Sequence, residues 1–368
     1  MAEIKRLDKR SPKIVKRSDK REERDMRARE NALKRPASER ELAKRPDRIR
    51  PYLIGYMDEF IFDEFSESYL KTSKLDDLMS GVPVPLRKED LEGFRDEKGL
   101  SVSLIGENMA RVMGIDPKFR FAEAYMAFLT RFLGKRAPEA LVRKAKNAAD
   151  GEDFDAACIC FRAALVMRPD DLAAMYGYAR VCRAMYNKSN DAEYIGNFKA
   201  ESLDYLESLT ELHPRFGQGW YYLGYMYLNL GLYTKAYLAW ESFLPHSRVA
   251  KDRREVRRRM EQIRTPMEIE RGYNAVLSSR WEEGIRILVP FRESVYKDWW
   301  PLWYYLGEAY LNTGCIEAAE EAFLEVLKLN GTHTETMEEL ISLYDAEGRA
   351  DMAKKYRDKI ALIRKGTS

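Results

Sequence analysis

A five-residue string occurs twice in this chain. Trp220-Tyr221-Tyr222-Leu223-Gly224 returns 83 residues later as Trp303-Tyr304-Tyr305-Leu306-Gly307. The agreement continues downstream. Tyr227 and Tyr310 stand three residues past each glycine, Ala236 and Ala319 nine past those, and Trp240 and Phe323 four further on. Self-similarity at fixed offsets means that each copy is one supersecondary unit, and such units bury their faces only by stacking on neighbours. Trp220, Leu223 and Tyr227 fall at i, i+3 and i+7, on one stripe of a helix. Tyr233, Ala236 and Trp240 give the inward stripe of a second helix. Between them Gly231 is expected to end the first helix, because glycine accepts the left-handed cap conformation cheaply. Gly224, Gly307 and Ala236 are small where paired helices must approach closely.

Weaker copies fit the same frame of about 34 residues. One begins near Pro138, with Leu141, Ala145, Phe154, Ala157, Phe161, Ala164 and Pro169. The next begins near Leu172, with Met175, Tyr178, Ala179 and Cys182, and ends in His213-Pro214. Its surplus around Tyr186–Gly196 reads as an insertion between its two helices. A second surplus, Lys251–Arg264, precedes a copy near Thr265 with Gly272, Ala275, Trp281, Gly284 and Leu288. The last copy starts near Thr334, with Met337, Leu340, Tyr344, Gly348, Ala353 and Tyr356.

The W-x2-L-G-x2-Y … A-x3-F pattern resembles the tetratricopeptide repeat superfamily. The resemblance implies an all-α fold, a right-handed superhelical solenoid of about six helix-turn-helix repeats. It also implies that the first helices line a concave groove that binds a peptide or a protein surface. Carried onto this sequence, the groove positions are Tyr176, Arg180 and Ala184; Tyr221, Tyr225 and Asn229; Ile269, Tyr273 and Leu277; and Tyr304, Glu308 and Asn312, with Arg183 beside the first set. Tyr and Arg are the residue types enriched in binding hot spots. The Lys-and-Asn clamp that some members use for C-terminal carboxylates has no match at these positions.

Charge divides the chain before the repeats begin. Residues 1–50 hold 19 Lys/Arg and 10 Asp/Glu, while the remainder holds 44 and 50, so a total of +3 conceals a basic arm on an acidic body. The arm has no Phe, Tyr or Trp and cannot build a core, which predicts disorder with transient helix supported by Glu23/Arg27, Asp25/Arg29 and Glu30/Lys34. Residues 51–136 read as a helical capping segment, with Gly81–Pro85 a non-helical connector, and 137–365 as the repeat region. Within the capping segment a helix over about Ser101 to Met113 is followed by another carrying Phe121, Tyr125, Phe128 and Phe132 on one face. Lys251–Arg264 reads as a basic helix with Val256, Met260 and Ile263 on its apolar face.

Catalytic signatures are missing from the pattern. The three histidines, His213, His246 and His333, are distant in sequence, and neither His-Glu-x-x-His nor a phosphate-binding glycine loop occurs. Cys158 and Cys160 point in divergent directions on a helix, so no metal site and no cofactor is expected. The carboxylates Asp58, Glu59, Asp63, Glu64 and Glu67 read as a solvated helix face or an internal partner for the basic arm. Phe216–Thr234 is free of formal charge for 19 residues but breaks at Asn229-Leu230-Gly231, which favours a helical hairpin over a membrane span. The first 50 residues lack the apolar run of a secretory signal, and four cysteines suit a reducing compartment, so the expected location is cytoplasmic. The sequence thus predicts a non-catalytic interaction scaffold that takes a protein or peptide partner in its groove. The alternative is an RNA- or nucleoid-associated factor that uses the arm and the basic helix, with salt-sensitive, unspecific binding.

Overall fold

In the computed structural model, residues 46–89 and 101–366 are described. The arm up to Arg45, with its predicted helix-supporting pairs, lies outside the described residues. The chain divides into two compact units. The first comprises residues up to Met226 together with Ser242–Ser247; the second comprises Tyr227–Glu241 and Arg248 onward.

The architecture is an all-α repeat fold, led in by short elements. These are α1 (Arg50–Leu53), a 3-10 turn (Ile54–Glu59), β1 (Phe60–Asp63), α2 (Glu67–Ser73), α3 (Asp76–Met79), β2 (Val84–Arg87), α4 (Val102–Ile115) and α5 (Ala122–Leu133). The two short strands are an addition to the helical reading of this segment. They pair antiparallel, with Phe60 opposite Arg87 and Phe62 opposite Pro85. Phe60-Ile61-Phe62 and Val84 are aromatic and β-branched, and such side chains fit a pleated surface better than a helix. Glu59, one of the clustered carboxylates, accepts from both Arg87 and Arg111 and so ties the sheet to α4.

Six helix pairs follow: α6 (Ala137–Asp150) with α7 (Phe154–Met167), α8 (Leu172–Asn187) with α9 (Ala192–Leu212), α10 (Gly217–Asn229) with α11 (Tyr233–Phe243), α13 (Arg264–Leu277) with α14 (Trp281–Leu288), α15 (Trp300–Asn312) with α16 (Ile316–Leu329), and α17 (Thr334–Ala346) with α18 (Ala350–Gly366). The basic stretch forms α12 (Ala250–Gln262), with Val256 and Met260 buried. The surplus near Tyr186–Gly196 is not a looped insertion. It lengthens both helices of its pair, so that α8 has 16 residues and α9 has 21, and Asp191 caps the second by accepting from the Tyr194 amide.

The repeat persists in the backbone where the residues differ. Gly231, Gly314 and Gly348 adopt φ of 70°, 77° and 71° at the turns of their pairs. Glu152 (φ 62°) and Ser279 (φ 58°) take the same left-handed conformation at the turns of two other pairs, at a cost a glycine would not bear. The tryptophans also share a device. Trp220 Nε1 donates to the carbonyl of Pro214 at 2.9 Å and Trp303 Nε1 to that of Lys297 at 2.6 Å, each six residues upstream.

In the second unit, stacking proceeds through two clusters. Ile269, Val276, Leu288, Leu302, Leu306 and Val326 form one. Phe323, Met337, Leu340, Tyr344, Ala353 and Tyr356 form the next. Gly307 sits where α15 crosses α16, and a Cβ there would meet the Phe323 ring at 2.5 Å.

In the first unit, α4 packs on α7, and the segment around α1 lies over α7 and α9. Ile49 and Leu53 are fully buried. The Tyr52 ring meets Tyr194 at 5.0 Å and Phe198 at 5.5 Å, and the Tyr56 hydroxyl donates to Asp155 at 2.7 Å. Asp47 and Arg162 form a two-pronged ion pair at 3.0 and 2.6 Å, and Arg162 Nε donates to the Gly114 carbonyl at 2.7 Å. Thus Asp47 and Arg48, which the charge count assigns to the arm, are paired to second helices of the repeat, and Arg50 to Asp116 at the end of α4.

Candidate partner-binding surface

Residues 176, 180 and 183 follow one another at i, i+4 and i+7, so they form one stripe of α8. Tyr178, whose hydroxyl donates to Glu201 on α9, points to the other side of the same helix. The segment 46–56 therefore leaves the Tyr176 stripe of α8 uncovered.

On that stripe, Tyr176 meets Phe216 edge-on at 5.1 Å and Tyr222 of α10 at 5.9 Å. The Arg180 guanidinium lies 5.5 Å from the Tyr176 ring centre and 5.7 Å from that of Tyr222; Arg183 lies 5.5 Å from Tyr222. These are cation–π distances. Burial, reinforced by neighbouring Tyr222, pushes the Tyr176 hydroxyl up to about 12, so it stays a neutral donor. Tyr221 and Tyr225 pair with each other at 5.1 Å, and Tyr221 packs on buried Phe243 at 5.3 Å. Asn229 is exposed at the end of α10.

The second unit repeats the arrangement with different charges. Tyr273 of α13 stacks on Tyr305 of α15 at 5.0 Å with the rings 22° apart. Tyr304 meets Tyr305 at 5.6 Å and His333 at 5.3 Å, and His333 lies against Trp300 at 4.3 Å. Asn312 donates to the Glu308 carbonyl one turn back at 2.9 Å. Ile269 is core rather than lining, whereas Leu277 is 65% exposed.

Two tyrosines outside the groove positions expected from sequence make the contacts between neighbouring first helices. Tyr222 and Tyr305 are the rings that reach the preceding first helix, to Tyr176 and Tyr273 respectively. The signal was present, since both strong copies read Trp-Tyr-Tyr. Counting one residue past the tryptophan selects Tyr221 and Tyr304, which instead also pack on the second-helix phenylalanines Phe243 and Phe323.

Glu308 gives this surface a pH dependence. Its Oε1 is buried and has no hydrogen-bond partner among the described residues. Burial, then the charge of Glu339, pushes its carboxyl from 4.5 up to about 7. A carboxyl raised in this way holds its proton more tightly folded than unfolded. Its contribution is therefore most favourable below about 4.5 and is lost as pH rises through about 7. Glu308→Gln should flatten that slope. It should also raise stability at about pH 8 by roughly 1–2 kcal/mol, a figure reduced for solvent screening of a half-exposed group. Urea midpoints of both proteins at about pH 5 and pH 8 check this; an equal pH difference in the two would show that Glu308 is not desolvated.

On the basic helix, Lys251, Arg254, Arg257 and Arg258 are exposed, and Arg264 pairs with Glu261 at 2.9 Å. No described helix is long and apolar enough to cross a membrane.

The tetratricopeptide repeat is the family whose models match the chain, over residues 186–242 and again over 300–333. No curated protein matches. Among solved structures, the P58(IPK) tetratricopeptide repeat domain is 19% identical over 61% of this chain, with a TM-score of 0.35, and the match spans 60% of that domain's length. The thermophilic protein TTC0263 of Thermus thermophilus is 16% identical over 65% of this chain and 98% of its own, with a TM-score of 0.29. A tetratricopeptide repeat protein of Parabacteroides merdae is 15% identical over 75% of this chain and 91% of its own, with a TM-score of 0.28.

Proposed function

Since the chain belongs to the tetratricopeptide repeat superfamily, we propose that the tyrosine-bearing faces of its first helices bind a partner protein and that the chain serves as an interaction scaffold. Repeats of this family generally mediate protein–protein interaction, which supports the scaffold role. The observation that carries the finer reading is the pair of half-buried tyrosine contacts, Tyr222 to Tyr176 and Tyr305 to Tyr273, each joining neighbouring first helices. Tyrosine offers a large, rigid contact face with a polar tip at little entropic cost. Each unit offers its own binding face around these rings: Tyr176, Arg180, Arg183, Tyr221 and Tyr225 in the first, and Asn229, Tyr273, Tyr304 and Asn312 in the second.

The test is a Tyr222→Leu, Tyr305→Leu double variant of the full chain, which keeps apolar bulk and removes the ring faces. Its circular dichroism melt should stay close to wild type. Its affinity for proteins that the wild type retains should fall by about 2 kcal/mol or more, roughly 30-fold. A folded variant that holds every such protein at wild-type affinity would sink the proposal.

A further inference from the structure

The first helices α8 and α10 carry charge of one sign, whereas α6 before them mixes Glu139 and Asp150 with Arg143, Lys144 and Lys146. Neither α8 nor α10 contains an acidic residue, α10 contains no charged residue at all, and the only charges on α8 are Arg180 and Arg183. Both lie on the stripe that bears Tyr176. Among the described residues no ion pair joins either to a carboxylate, whereas nearby Arg162, Arg168 and Lys188 each have one. Their planes are nevertheless held in place, Arg180 by Tyr176 and Tyr222 and Arg183 by Tyr222.

Arg180 spends one donor on the Tyr176 hydroxyl and Arg183 one on the Tyr186 hydroxyl, which leaves further N–H donors of each guanidinium over the ring faces. Those donors form a rigid fork that matches a carboxylate two-by-two. A fork already stacked on tyrosine also loses less freedom when it is engaged, so preorganisation favours binding. In the second unit the first helices α15 and α17 bear the opposite sign, their only charged residues being Glu308, Glu335, Glu338, Glu339 and Asp345, while α13 mixes Glu268 and Glu270 with Arg264 and Arg271. Tyrosines are thus accompanied by arginine on α8 and by carboxylates on α15 and α17.

We propose that the α8/α10 face is a subsite that reads carboxylate side chains, and that the segment it takes is an acidic stretch of a partner protein, engaged by Arg180 and Arg183 between Tyr176 and Tyr222. This rests on the reading that the first-helix faces bind a protein, and it adds the chemistry of the segment. The commitment is to Asp or Glu side chains within a chain, since the two forks lie one helical turn apart and match two acidic side chains on one peptide.

The experiment uses the full chain and a fluorescently labelled, end-blocked peptide rich in glutamate, with its glutamine analogue and a glutamate-free phosphoserine peptide as further arms. Anisotropy titration should show the glutamate peptide binding and the glutamine analogue binding on the order of 10- to 100-fold more weakly. Arg180→Gln with Arg183→Gln should remove that difference while leaving the melt unchanged. Arg180→Lys with Arg183→Lys should restore only part of it, because the charge returns without the planar fork. Equal binding of the glutamate and glutamine peptides, wild-type affinity in the double glutamine variant, or binding of the phosphoserine peptide alone would each overturn the proposal. Those outcomes differ from failure of the scaffold reading, which is seen when the tyrosine double variant keeps its captured proteins.

Discussion

Removal of the Asp47 carboxylate, as Asp47→Ala, is expected to destabilise the folded chain by about 3–5 kcal/mol. Arg162 is 5% exposed, and its guanidinium faces Asp47, the Gly114 carbonyl and the Tyr178 hydroxyl. Taking away the carboxylate leaves a buried cation with neutral acceptors only, and the uncompensated charge sets the size of the loss. Burial by itself would raise the Asp47 carboxyl. The hydrogen bonds and charge of Arg162, with the amides of Arg50 and Ile49, nevertheless hold it below its ordinary value. A depressed carboxyl contributes stability above the ordinary range and loses it as pH falls through the folded-state value, so the pair should also weaken in acid. A thermal or urea melt of the full chain reads the effect. The double variant Asp47→Leu, Arg162→Met should recover much of the loss, because it removes both charges and fills the site. If Asp47→Ala melts with the wild type, the ion pair does not hold this segment down.

Asp47 also marks where the sequence ran out as a guide. Charge averaged over 50 residues places it in a solvated arm, yet Ile49, Tyr52 and Leu53 supply apolar groups at helical spacing just where docking begins. A local window would have shown the change; the composition of the whole arm concealed it. The hairpins around Trp220 and Trp303 were legible because packing fixes their residue types: in both a tryptophan that caps its own approach loop, and in the second a glycine, Gly307, under the Phe323 ring. The left-handed turns at Glu152 and Ser279 were not legible, since the backbone there follows the repeat without the glycine that announces it. The surplus near Tyr186 could be counted but not placed, because a residue count does not distinguish a loop from two longer helices. That the first helices carry tyrosine-rich stripes was legible. Which of two adjacent tyrosines spans to the next helix was not, because that depends on how neighbouring helices are rotated about their axes.

Gly114→Ala should be the most damaging glycine substitution in the first unit. Gly114 lies in the last turn of α4, where that helix meets α7. A Cβ there would come within 2.0 Å of the Ile159 carbonyl oxygen and 2.8 Å of its carbon. The obstruction is main chain inside a helix, which has no rotamer to move into. At Gly307, by contrast, the added atom meets the Phe323 ring, a side chain that can tilt, although at 2.5 Å it must move. Overpacking costs about 1–3 kcal/mol, and Gly114 belongs at or above the upper end because two helices must separate to make room. Separation also draws the Gly114 carbonyl away from Arg162 Nε, so the cost of the methyl group reaches the buried ion pair. The two sites are then coupled, and Asp47→Ala combined with Gly114→Ala should destabilise by less than the sum of the single effects. Gly55→Ala is the control, since nothing lies within 4 Å of a Cβ built there. Thermal melts of the four proteins decide the matter. Gly114→Ala melting alongside Gly55→Ala would mean that α4 does not approach α7 this closely, and strict additivity with Asp47→Ala would mean that the crossing and the ion pair are separate features.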